Sequence, residues 1–198
     1  MIAIIDYGMG NLRSVEKALE KVGGDVRVSR DPDDVRRADA IVLPGVGAFG
    51  DAMENLRKRG LVEVIKEEVA AGKPFLGICL GLALIFEESE EYGLHEGLGL
   101  LPGRVELLPT KLKIPHIGWN GISIRKTSRL LDGVPDGSYF YFVHSYVVMP
   151  RRESDILCVT DYGCDFVSAV ERGNIAAFQF HPEKSSALGL TILRNFIK

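Results

Sequence analysis

Three cysteines and four histidines are the side chains of this sequence best suited to nucleophilic or proton-transfer chemistry. Cys79 sits in Pro74-Phe-Leu-Gly-Ile-Cys79-Leu-Gly81, an apolar run that reads as a strand turning sharply into a helix. Such a corner crowds the backbone, so Gly77 and Gly81 remove side chains that would collide, and the residue between them is presented at a helix N-terminus. There the helix dipole and unpaired N–H groups favour thiolate over thiol, and the N–H of Leu80 can face a developing oxyanion. A small buried hydrophobe between packing glycines would leave the same letters.

A thiolate nucleophile needs a general base, and the choices are His95, His116, His144 and His181. His181 follows the apolar run 175–180 and opens His181-Pro182-Glu183. Proline stiffens that corner, and a carboxylate two residues on can hold the imidazole, select its tautomer and stabilise the imidazolium. A surface turn is the alternative. The third element is Ala40-Ile-Val-Leu-Pro44-Gly45-Val46-Gly47, a strand ending in a glycine-flanked loop. Its spacing matches no phosphate-cradling motif and no lysine follows, so the loop reads as a backbone donor. An N–H of Val46 or Gly47 would complete an oxyanion hole with Leu80.

These residues need a scaffold, and composition allows one. The 198 residues, 46% hydrophobic and 26% charged, suit one globular domain over residues 1–198 with a real core. A net charge of −3, with no basic run or aromatic-interleaved basic stretch, offers nothing to nucleic acid or an anionic membrane. Met1 leads into the short run Ile2–Ile5 without a signal-like leader, and no apolar run approaches a membrane span, so a cytoplasmic location is expected. Cys79, Cys158 and Cys164 include no Cys-x-x-Cys spacing, and neither a metal nor an organic cofactor is expected.

Along the first half, short β-rich runs alternate with helical patterns. Strands are expected at 2–5, 25–29, 40–43 and 74–78, and helices at 11–22, at 50–72 (two, around Gly60) and at 80–88. That alternation means βαβ units and a parallel sheet. After Gly103 strands follow one another at 103–108, 121–124, 139–148, 156–160, 166–171 and 175–180, and a helix at 186–197 ends the pattern. The expected fold is α/β: an open, mainly parallel central sheet with flanking helices and an antiparallel extension, its ligands at the carboxyl ends of the central strands.

In the order Pro-Gly-Val-Gly, Gly-Ile-Cys-Leu-Gly, His-Pro-Glu, the three pieces resemble the triad (class I) glutamine amidotransferases, whose fold is flavodoxin-like. More narrowly, Tyr7-Gly-Met-Gly-Asn-Leu12, Pro44-Gly-Val-Gly-Ala-Phe-Gly50, Pro115-His-Ile-Gly-Trp-Asn120, Tyr141-Phe-Val-His-Ser-Tyr146 and Phe178-Gln-Phe-His-Pro-Glu-Lys-Ser185 look like the family of glutaminase subunits that serve imidazole glycerol phosphate synthesis in the histidine pathway. That resemblance implies a two-protein enzyme. One subunit hydrolyses L-glutamine, and ammonia passes to a (β/α)₈-barrel cyclase subunit. By position it implies Cys79 as nucleophile, His181 as base and acid, and Glu183 as its orienter. Substrate contacts fall on the loop 45–47, including Gly45 and Gly47, on Glu91 at the α-amino group, and on Ser145 and Tyr146 at the carboxylate. Partner contacts fall on Asn11, Trp119, Asn120, Tyr141 and Lys184.

The elbow departs from the family at two positions, Leu82 and Ala83. The family's elbow usually continues Cys-Leu-Gly-Met-Gln, whereas this chain has Leu82-Ala83, so a side-chain amide used on bound glutamine is missing. Two other readings stay open: a catalytically weak regulatory or scaffolding subunit that still docks to the cyclase, and another cysteine hydrolase on a related fold. An intact Cys79, His181 and Glu183 set argues against a scaffold, and the interface-like segments around Trp119 and Lys184 argue against a peptidase.

Overall fold

A computed structural model describes residues 1–198. The first half holds strands β1 (Ile2–Ile5), β2 (Val26–Ser29), β3 (Ala40–Gly45) and β4 (Phe75–Cys79) and helices α1 (Leu12–Lys21), α2 (Pro32–Arg37), α3 (Phe49–Lys58), α4 (Leu61–Ala70) and α5 (Leu80–Leu84). Then come short strands β5 (Glu88–Ser89) and β6 (His95–Glu96), followed by β7 (Gly103–Leu107), β8 (His116–Gly121), β9 (Ser123–Ile124), β10 (Tyr139–His144) and β11 (Tyr146–Pro150). Strands β12 (Ile156–Asp161), β13 (Asp165–Arg172) and β14 (Ile175–Phe178) precede the last helix, α6 (Ser186–Ile197).

The main sheet runs β2-β1-β3-β4-β14-β13-β11-β7-β5-β6. Its first five strands are parallel, and β13, β11 and β7 continue it antiparallel. This is the expected open sheet with an antiparallel extension. Neighbouring residues of the central strands face opposite sides, as the pleat demands. Ile4, Val42 and Leu76 pack with Val15, Leu19, Ile192, Leu193 and Phe196 of α1 and α6. Ile5, Ile41, Leu43 and Phe75 pack with Ala52, Met53, Leu56, Ile65 and Leu82 of α3, α4 and α5. Both faces are therefore covered, as a parallel sheet requires.

Register places the loops. Gly45 is paired with Cys79 across β3 and β4, and Ile78 with Phe178 across β4 and β14. The carboxyl ends of three adjacent strands thus carry the glycine loop, the cysteine and the His-Pro-Glu corner.

The structure corrects several boundaries. The run 139–148 is two strands broken at Ser145, and β10 leaves the main sheet to pair with β8 alone. The helix expected at 80–88 ends at Leu84, and β14 ends at Phe178, where the chain turns with the Gln179 N–H on the Ser168 carbonyl. The run 121–124 is the end of β8 plus β9. Helix α2, the strand portion before Gly121, and the two-residue strands β5 and β6 were not expected. Helix α2 buries only Asp34 and Val35, so its apolar periodicity is faint.

At the elbow, Cys79 takes φ 55° and ψ −106°, a left-handed backbone that a side-chain-bearing residue adopts at a cost of order 1–3 kcal/mol. A Cβ on Gly81 would collide with the Leu43 carbonyl oxygen, and one on Gly77 would lie 2.8 Å from the Gly81 oxygen. In Gly81→Ala, helix propensity favours alanine by about 1 kcal/mol, but overpacking against an immovable carbonyl costs about 1–3 kcal/mol or more. Because a backbone carbonyl cannot give way, the cost sits at the upper end of that range, and the expected net loss of roughly 2 kcal/mol lowers Tm by roughly 4–8 °C. Differential scanning calorimetry checks this, and an unchanged or higher Tm would show that β3 and α5 do not meet through this glycine.

Candidate active site

The elbow delivers Cys79 to the start of α5, nearly buried at 7% exposure. Its Sγ donates to the Val143 carbonyl at 3.8 Å. From β14, the chain brings His181 alongside, with its backbone N–H donating to the Tyr141 carbonyl at 3.0 Å. His181 Nδ1 and Glu183 Oε1 are 2.8 Å apart, and their side chains are only 3% and 2% exposed. With a carboxylate as partner, Nδ1 must carry the proton it donates. The other ring nitrogen, Nε2, is buried without a protein partner.

Burial by itself would lower the His181 pKa, but the neighbouring Cys79 sulfur and the Glu183 carboxylate outweigh it and hold the imidazolium up to about 9. Such an arrangement has the parts that a nucleophile, a proton-carrying base and its orienter require.

Beside Cys79 lies a cavity of about 210 Å³. Val46, Gly47, Leu80, Glu91, Ser145 and Tyr146 all line it together with Cys79. Gly47 has φ 114°, a conformation open to glycine. Gly45 is not among the residues lining this cavity: it is buried, and any Cβ there would strike the Tyr7 hydroxyl. Packing beneath the loop is by itself enough to require glycine there. Ala83 lines the cavity, as its place one turn into α5 predicts.

Glu91 is not a free surface acid. Its Oε2 accepts the Phe49 N–H at 2.7 Å, where α3 begins after Ala48 without a side-chain cap. Helix N-termini are deficient in acceptors, so the carboxylate closes that end while bordering the cavity.

Trp119, Tyr141 and Lys184 meet on the surface next to the triad. Trp119 is 51% exposed, so it is no core residue, and its ring lies 6.2 Å edge-on from Tyr141. Lys184 Nζ stands 5.9 Å from the Tyr141 ring centre. Ile117 and Tyr139 are also exposed on the same two strands. Asn11 borders a small cleft shared with His181 and Glu183. Asn120 sits deeper, its Nδ2 donating to the Asp161 carbonyl at 2.8 Å.

Some contributors escape sequence reasoning. Ser185 is buried, donates to the His181 carbonyl at 2.6 Å and accepts the Tyr141 N–H at 3.0 Å, pinning the corner to β10. His144 and Gln179 line the cavity too. Their signals are tertiary, apart from their presence in the quoted segments. No group of three or more His, Cys, Asp or Glu side chains is arranged to hold a metal ion.

Known proteins share this architecture and sequence. The profile of the family described as Glutamine amidotransferase class-I matches residues 3–198. A protein of Aquifex aeolicus named imidazole glycerol phosphate synthase subunit HisH is 59% identical over 194 residues, covering 98% of this chain and 94% of that protein. The protein of the same name from Moorella thermoacetica is 53% identical over 195 residues, covering 98% and 93%. A crystal structure of a glutamine amidotransferase superimposes with TM-score 0.77 at 20% identity, covering 96% of this chain and 95% of that one. PurLQS from Thermotoga maritima gives TM-score 0.76 at 16% identity, with 98% and 96% covered. At those identities the two structures speak to the fold alone. Sequence relatives and family profile agree over nearly the whole length, and this chain belongs to the class-I glutamine amidotransferases, among the HisH subunits of imidazole glycerol phosphate synthase.

Proposed function

We propose that residues 1–198 form one glutaminase domain that releases ammonia from L-glutamine through Cys79, His181 and Glu183. The observation that carries this reading is the sealed His181–Glu183 pair, whose free Nε2 has no partner beside the Cys79 elbow. Cys79 Sγ attacks the side-chain amide carbon, and the tetrahedral oxyanion meets the Leu80 N–H and an N–H from Val46 or Gly47. His181 hands its proton to the departing ammonia, leaving a thioester on Cys79 and L-glutamyl held at the cavity's far end. It then takes a proton from water as that water attacks the thioester, so that glutamate leaves and the thiolate–imidazolium pair returns. Each oxyanion donor contributes a few kcal/mol to both tetrahedral states. Glu91 faces the α-amino group, and Ser145 and Tyr146 face the carboxylate.

The partner is a (β/α)₈-barrel cyclase subunit, met through Asn11, Trp119, Asn120, Tyr141 and Lys184 to form a cytoplasmic heterodimer that channels ammonia. The exposed apolar and aromatic face of β8 and β10 supports this, because an unburied tryptophan beside exposed Ile117 and Tyr139 marks a surface meant to be covered. No helix is long and apolar enough to cross a membrane.

Replacing Cys79 with alanine is expected to abolish glutamine-dependent synthesis by the complex while leaving synthesis from added ammonium salt. Glutamine-dependent turnover surviving in that variant refutes the mechanism.

The His181 pKa sets a pH signature. Its protonated form is the acid that releases ammonia, and that form persists until pH passes about 9, so kcat/KM should fall on an alkaline limb near 9 and not near the ordinary histidine value. Glu183→Gln removes one of the groups that raise it, so the limb should move down and kcat should drop on the order of 10²–10⁴-fold. A limb that stays in place in Glu183→Gln counts against Glu183 as orienter.

Because Ala83 lines the cavity, Ala83→Gln should restore one neutral hydrogen bond to glutamine, about 0.5–1.5 kcal/mol. Glutamine KM in the complex is expected to fall roughly two- to tenfold, with kcat less affected. An unchanged or higher KM in steady-state kinetics means the site is built around alanine.

A further inference from the structure

His116 and His144 are buried, at 3% and 8% exposure, and the triad does not use them. His116 stacks between Phe142 and Tyr162, with ring centres 5.0 and 4.0 Å away. Its Nδ1 lies 3.0 Å from His144 Nε2, and His144 Nδ1 lies 3.0 Å from the Tyr146 carbonyl. On the other side, His116 Nε2 lies 3.3 Å from Asn120 Nδ2.

The ends of this series permit one proton arrangement. The Gly121 N–H can only donate, and it bonds Asn120 Oδ1 at 2.8 Å, which fixes the amide orientation and leaves Nδ2 to donate. His116 Nε2 must then accept, so its proton sits on Nδ1 and points at His144 Nε2. His144 Nε2 accepts in turn, and its own proton on Nδ1 meets the Tyr146 carbonyl, which can only accept. Every link runs the same way, and both rings are neutral. A second proton on either ring would set two donors against each other.

Burial supports the neutral forms, lowering the pKa of His116 and, with smaller contributions from the His116 and His181 charges opposed by the Tyr146 carbonyl, pushing that of His144 down to about 4. Neutrality at His144 also spares His181, which must carry positive charge nearby.

We propose that His116 and His144 are positioning residues for glutamine: a one-way hydrogen-bond chain from Asn120 through both rings holds the Tyr146 carbonyl and so fixes the kink at Ser145 and Tyr146. This rests on reading that kink as the carboxylate contact. The geometry gives the kink a reason to need holding, since β10 and β11 belong to different sheets and only Ser145 joins them. The chain also ties the kink to β8, the strand that carries Trp119 and Asn120.

Two measurements test it. Long-range ¹H–¹⁵N spectra of the full chain with labelled histidine should show His116 and His144 both neutral near pH 7 and both with the proton on Nδ1. The isosteric Asn120→Asp turns the donor into an acceptor and should switch His116 to the Nε2–H form. An Nε2–H tautomer or an imidazolium for either ring in the unaltered protein, or a His116 tautomer unmoved by Asn120→Asp, overturns the chain. In the complex, His116→Phe keeps the stack but deprives His144 of its donor, and glutamine KM should rise roughly tenfold with kcat changed less and ammonium-dependent synthesis intact. A KM equal to that of the unaltered complex ends the positioning role alone, whereas no glutamine turnover in the unaltered complex would sink the glutaminase reading and leave the tautomers standing.

Discussion

The Leu43 carbonyl of β3 lies against the Cα of Gly81, and the architecture of the site depends on that contact. It lets the first turn of α5 nest over the end of the neighbouring strand, which forces the sharp corner at Cys79 and its left-handed backbone. Strain of that kind persists only where surrounding structure over-determines it. Here β4 is hydrogen-bonded on both sides, by β3 and β14, and its residues are buried throughout. The sulfur therefore has little freedom to leave the corner, and the base must come to it.

The base arrives by a different device. His181 lies beyond the end of β14, in irregular backbone, and is held by pieces from three places: Glu183 on its ring, Ser185 on its carbonyl, and the Tyr141 carbonyl on its N–H. The last two connect the catalytic corner to β10, whose outer side carries Tyr141 and faces Trp119. A surface suited to a partner and the backbone of the proposed base are thus separated by a single strand.

Much of this was legible in the sequence wherever the cause is local. The apolar runs at Ile2–Ile5 and Phe75–Cys79 are long enough and flanked clearly enough to read as buried parallel strands, and Gly60 marks the break between α3 and α4. Cys79 and His181 were found because glycines and proline beside them leave a mark on the letters. The break at Ser145 leaves none. Residues 139–148 are uniformly β-prone, and what divides them is the pairing of β10 with β8 and of β11 with β7 and β13, which depends on distant partners. Ser185 and the grip of Glu91 on α3 are hidden for the same reason, as is the Tyr7 hydroxyl packed over Gly45, which cannot be seen in one dimension.

The bond from Glu91 to the Phe49 N–H has a consequence for how this site can change over evolutionary time. The carboxylate that borders the cavity also anchors the helix that follows the Gly45–Gly47 turn, so one wall of the cavity and the seating of that turn share one side chain. A drift at position 91 that reshaped the cavity would loosen the start of that helix in the same step. The cavity is freer to change at positions such as Ala83, whose methyl lines it and packs on the core without carrying a hydrogen bond to another element.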